Sequence, residues 1–196
     1  MRKLDIDQFL TLAGVGRRSF RVMANRNEVA LAFGVSDRLA GGNFLDLDVI
    51  SMICTDELAP AFGRVLAASL VRGFSDVWCM AVSEADASPQ PIFLVVIEQG
   101  KKFTGGQRAT REGVNMGYGT MADLADKMAS VASLPPRMTL VNLTSLLADV
   151  RAKASAIGLD FSQPFIDLAD LAFIQARDEA KAHREKNVGR LKAARP

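Results

Sequence analysis

The chain has 196 residues, 49% hydrophobic and 23% charged, enough for one sizeable core or a small domain beside a medium one. Its cysteines, Cys54 and Cys79, lie among apolar neighbours, and its single histidine, His183, lies in a charged tail, so neither structural disulfides nor a zinc site is expected. The net charge of +2 is unevenly spread: residues 1–27 carry six Lys/Arg against two Asp/Glu, residues 177–196 carry seven against three, and the segment between is acidic, eleven against seventeen. Two basic ends on an acidic body suit a DNA-contacting head, although a charged tail also serves solubility alone. No apolar run approaches membrane-spanning length and MRKLDIDQFL lacks a signal-peptide pattern, so a cytoplasmic protein without membrane association is expected.

Ile6 to Met23, IDQFLTLAGVGRRSFRVM, reads as two short helices joined by a turn centred on Gly14, the first capped by Asp5 or Asp7. Phe9, Ala13, Val15, Phe20 and Met23 fall where two crossing helices pack, and glycine lets the chain turn between them. The second helix, Arg17 to about Arg26, exposes Arg17, Arg18, Arg21, Asn25 and Arg26, with Ser19 beside them. These residue types hold phosphates and read base edges. A helical hairpin with a solvated basic face shows the same pattern. Next, Glu28 to Phe33 reads as a short strand, VSDRLAGG as a loop, and NFLDL as a second strand or a helix start. Two strands around a Gly-rich tip make a wing whose Arg38 can reach a phosphate; a purely structural hairpin is the alternative. Asp46 or Asp48 then starts a helix with Val49, Ile50, Met52, Ile53 and Leu58 on its apolar face, interrupted by Pro60. Another helix, from about Ala61, carries Val65, Leu66, Leu70 and Phe74 and either breaks at Gly73 or continues through Trp78, a core anchor.

This order of helix-turn-helix, wing and two helices resembles the winged-helix DNA-binding domain of the MerR-type regulators over residues 4–75. FLDLDVISMICTDEL looks like that family's third helix, with Phe44, Leu45 and Asp48 at its start. Leu10 stands where the helix-turn-helix pattern usually has alanine. The family's tyrosine pair after the recognition helix is replaced by Met23 to Asn25, and the cysteine ligands of its metal-sensing members are missing. The resemblance therefore implies DNA binding as a homodimer without metal sensing.

Residues 86–91, DASPQP, form a Pro-punctuated joint and a domain boundary. PIFLVVIEQ beyond it is a buried strand, and Gly100 to Gly119 a loop containing Lys101, Lys102, Arg108 and Arg111. MADLADKMASVAS places Met121, Leu124, Met128 and Val131 on one helical face. RMTLVNL is another strand, and Thr144 or Ser145 caps a helix carrying Leu146, Leu147, Val150 and Ile157 that Gly158 ends. The last helix starts near Pro164 with Phe165, Leu168, Leu171 and Ile174, then turns polar and basic. The expected architecture is α+β: a winged helix-turn-helix domain over 1–85, a small α/β dimerisation or effector domain over 86–163, and a C-terminal helix with a basic tail over 164–196.

Catalytic chemistry finds little support. The glycine-rich loop has neither the spacing nor the Lys-Ser/Thr ending of a P-loop, and Lys101 sits one place late for a nuclease Glu-x-Lys pattern after Glu98. Asp46/Asp48 and Asp123/Asp126 have local explanations as caps and exposed face residues. No serine or cysteine has a histidine base within view. The expectation is a sequence-specific transcriptional regulator, a homodimer on double-stranded DNA, with no catalytic residues, cofactor or metal, and with a small-molecule or protein effector at the C-terminal unit. Two alternatives remain: a protein-interaction or mobile-element accessory protein using its head on a protein partner, and a small nucleotide- or metal-dependent enzyme in the C-terminal unit.

Overall fold

The computed structural model describes residues 1–32, 43–98, 113–129 and 137–167. Within them the chain runs β1 (Lys3–Leu4), α1 (Ile6–Ala13), α2 (Arg17–Asn25), β2 (Phe44–Leu45), α3 (Asp46–Phe62), α4 (Arg64–Gly73), α5 (Ser75–Ala87), β3 (Phe93–Glu98), β4 (Val114–Gly119), α6 (Met121–Ala129), β5 (Arg137–Asn142) and α7 (Leu143–Ala156). The class is mixed α+β. Strands β1 and β2 form one antiparallel pair, and β4-β3-β5 form a second sheet, antiparallel throughout.

The first two helices form as expected. Asp5 caps α1 by accepting from the Gln8 amide at 2.8 Å, while Gln8 Oε1 accepts from the Asp5 amide at 3.0 Å. Gly14 closes α1 at φ 68°, a conformation costly for any residue with a Cβ, and Gly16 opens α2. Asn27, at φ 58°, lies just beyond the last turn of α2.

The wing is not formed as expected. Residues 28–32 make no strand, and β2 pairs with Lys3–Leu4 rather than with them. The reason lies in where this segment's backbone groups find partners. Arg72 donates to the Val29 carbonyl at 2.6 Å, Ser51 Oγ to the Ala30 carbonyl at 2.8 Å, and the Ala32 amide donates to Asp48 Oδ1 at 2.8 Å. Side chains of α3 and α4 thus replace a neighbouring strand. Residues 33–42, with the expected wing tip and Arg38, lie outside the described residues.

Further along, Pro60 does not interrupt its helix. Helix α3 continues to Phe62, because a proline in the last turn removes only one backbone bond, and Gly63 at φ 74° ends the helix three residues later. The chain then breaks at Phe74, where α4 and α5 meet at 79°. Trp78 is fully buried and donates Nε1–H to the Val71 carbonyl across that corner at 2.8 Å.

Strand β4 occupies part of the expected loop from Gly100 to Gly119. Its register pairs Val114, Met116 and Tyr118 with Glu98, Val96 and Leu94, so these three side chains share the sheet face turned to the core. Asn115, Gly117 and Gly119 take the other face. In α6, Leu124 is buried but Met121 is 53% exposed, contrary to its expected place on the apolar face. At α7 the cap is neither Thr144 nor Ser145 but Asn142, which accepts from the Ser145 amide at 3.0 Å. Thr144 Oγ1 instead accepts from the Ile92 amide at 3.0 Å and ties α7 to the approach of β3. Ile157 is 42% exposed rather than packed. Residues 164–167 are not helical, and the remainder of the expected C-terminal helix lies outside the described residues.

Buried side chains from Leu4 to Ile166 form one hydrophobic cluster that runs across the expected joint at 86–91. Arg2 helps to close it: it pairs with the buried Asp46 at 3.0 Å, donates to the Gln163 carbonyl at 2.7 Å and lies 5.0 Å from the Phe161 ring. Burial raises the Asp46 pKa, and the bonds from Arg2 work against that rise. Arg151 holds the other side, pairing with Asp86 at 2.5 Å and covering the Phe165 ring at 4.7 Å.

Both cysteines are buried and outside any disulfide, and burial, followed by the nearby Glu57, pushes the Cys54 thiol up to about 12. Neither thiol should react with an aromatic disulfide reagent in the native protein, whereas both should react in denaturant. Release of one equivalent within seconds under native conditions contradicts this.

Candidate nucleic-acid interface

Helix α2 is held to the protein by very little. Phe20 is its one fully buried side chain, at 1% exposure, with Val15, Met23 and Ala24 half-buried at its edges. The Phe20 ring meets Phe9 edge-on at 5.4 Å and Phe44 at 5.9 Å, while Phe9 and Phe44 stack at 4.2 Å. One residue from each of α1, α2 and β2 therefore forms an aromatic knot that props α2 against the body.

The opposite side of α2 is open. At 3.6 residues per turn, Arg18, Arg21 and Asn25 lie within about 60° of one another, turned away from Phe20. All three are exposed, as are Ser19 and Arg26 on the flank. Among the described residues, Arg18, Arg21 and Arg26 enter no ion pair. Arg17 differs: it pairs with Asp7 of α1 at 2.6 Å, with the two side chains 49% and 77% exposed. The structure thus brings Arg18, Arg21 and Asn25 onto one face, ties Arg17 to the neighbouring helix, and leaves Arg38 outside the described residues. Val22 borders that face, one turn after Arg18, and is 41% exposed.

Two contributors are not evident from the sequence. Asp7 reads there as a helix cap, and its pairing with Arg17, ten positions later, depends on how α1 and α2 cross. Asp48 likewise reads only as a helix start, yet it is fully buried and accepts from two amides, Leu45 at 2.7 Å and Ala32 at 2.8 Å. It therefore fixes β2, and with it Phe44 of the aromatic knot, against the segment that follows α2.

Elsewhere the carboxyls of Asp123 and Asp56 have structural partners. Thr120 and Asp123 bond reciprocally at the start of α6, which holds the Asp123 carboxyl below its usual range. Burial raises Asp56, with its Arg64 ion pair opposing the shift. Among the described residues no group of His, Cys, Asp and Glu side chains could hold a metal ion. No single described helix is long and apolar enough to cross a membrane. An open groove of about 460 Å³ lies between α5, β4 and the start of α6, lined by Glu84, Asp123 and Lys127 and with Tyr118 and Ile92 in its wall. Comparison of the chain with protein-family models, curated proteins and solved structures finds no match.

Proposed function

We propose that this chain binds double-stranded DNA through the open face of α2 and acts as a sequence-specific transcriptional regulator. The observation that carries the reading is the exposed stripe of Arg18, Arg21 and Asn25 on a helix whose only deep anchor points the other way. A helix about 10–12 Å across fits the major groove, where arginine bonds guanine O6 and N7 and asparagine bonds adenine N6 and N7. Ser19 and Arg26, which share one flank, suit the phosphates on that side, and Arg38 from the expected wing would add another such contact. Action as a homodimer, with two copies of α2 about one helical turn apart, belongs to the same proposal. So does effector control, for which the groove beside Lys127 offers a place.

A duplex enriched from a randomised pool should lose affinity by roughly 1–3 kcal/mol on Arg18→Ala if Arg18 pairs with a guanine. Random duplex should lose far less. Fluorescence anisotropy on both duplexes checks this, and an unchanged affinity for the enriched duplex removes Arg18 from the interface.

One observation favours a second reading. Val22 places an exposed methyl pair at the edge of the arginine stripe, one turn after Arg18, which suits an acidic, partly apolar protein surface as well as a thymine methyl. Binding to duplex with a steep salt dependence separates the two, since counterion release accompanies phosphate contacts.

A further inference from the structure

We propose that Asp7 is a selectivity residue of the α2 face, holding Arg17 in an ion pair that a target duplex displaces and random duplex does not. The inference rests on the DNA-binding reading above. Arg17 is the first residue of α2, and Asp7 lies in the first turn of α1, ten positions earlier; the turn at Gly14 brings the two within 2.6 Å. Among the described residues neither side chain has another ion-pair or hydrogen-bond partner, and both are substantially exposed to water, so the pair is weak and easily exchanged. It nevertheless cancels one positive charge beside Arg18 and Arg21.

The consequences differ with the duplex. A carboxylate at the edge of the face repels phosphates wherever the helix lands. Random duplex meets α2 in many registers, so it gains little from freeing Arg17 and keeps the full repulsion. A target duplex seats α2 in one register, with a phosphate fixed near the start of the helix. There Arg17 exchanges the carboxylate of Asp7 for a phosphate oxygen, and the exchange adds to the discrimination made by Arg18 and Asn25.

The test uses the full chain and the isosteric change Asp7→Asn, which leaves the Asp5 cap of α1 in place. Affinity for random duplex should rise roughly three- to tenfold at low salt, with a log–log salt slope steeper by about 0.9, the signature of one more phosphate contact. Affinity for an enriched duplex should rise less, so the specificity ratio falls. In the Asp7→Asn, Arg17→Ala double variant the gain on random duplex should disappear. An Asp7→Asn protein that binds random duplex like the parent overturns the proposal, as does a gain that survives Arg17→Ala. If Arg18→Ala weakens binding while Asp7→Asn changes nothing, only this inference fails. If neither parent nor variant binds any duplex, the DNA reading fails and takes this inference with it.

Discussion

Replacing Phe20 with alanine is expected to destabilise the protein by about 3–5 kcal/mol and to abolish duplex binding. The size follows from the knot: truncation opens a void against both Phe9 and Phe44, whose stacked rings cannot collapse into it without parting from each other. The effect on binding follows from α2 having no second buried side chain to keep it in place. Amides of α2 should therefore exchange much faster in the variant, while those of β3 follow the global loss only. Phe20→Leu, which keeps most of the volume, should cost under about 1.5 kcal/mol and retain binding. Urea denaturation monitored by the Trp78 fluorescence measures the stabilities, and a Phe20→Ala loss below about 1 kcal/mol would show that α2 is held by something else.

Asp48→Ala is expected to cost about 2–5 kcal/mol, because it removes at once the carboxylate that accepts from the buried Ala32 amide and the part-buried Leu45 amide. Asp48→Asn should not rescue it. One asparagine oxygen can serve one of these amides, and its NH2 group must then face the other, donor against donor. The loss should be felt first where the amides lie, in the segment after α2 and in β2, so Phe44 should loosen before the β4-β3-β5 sheet does. Hydrogen exchange at Ala32 and Leu45 reads this directly, and an Asp48→Asn protein within about 0.5 kcal/mol of the parent would contradict the assignment.

What the sequence disclosed depended on how local the determining contacts were. The α1 cap at Asp5, the Gly14 turn, the burial of Phe9 and Phe20 and the exposure of the α2 arginines are set within some twenty residues, and periodicity exposes them. Strand β3 was equally plain from its run of β-branched residues. Helix α3 is legible too, except that it runs on through Pro60 to Phe62, where little helix remains beyond the proline to be disrupted. The irregular course of residues 28–32 was not legible, because a hydrophobic run with a strand's composition is here satisfied by Asp48, Ser51 and Arg72, all remote in sequence. Strand β4 was overlooked for a different reason. Its glycines suggested a loop, whereas Val114, Met116 and Tyr118 alternate with Asn115, Gly117 and Gly119 at the strand period. Of the candidate interface, the residue types were legible but the Asp7–Arg17 pair was not, since it depends on how the two helices cross.

If the face carrying Arg18 and Arg21 accepts duplex phosphates, binding of the full chain to a random duplex must weaken as potassium chloride is raised. A log–log plot of the apparent binding constant against salt should be straight with a slope between about −2 and −4, becoming shallower by about one unit for each of Arg18→Ala and Arg21→Ala. Undetectable binding in dilute salt, or a slope that neither substitution alters, would contradict phosphate binding by this face.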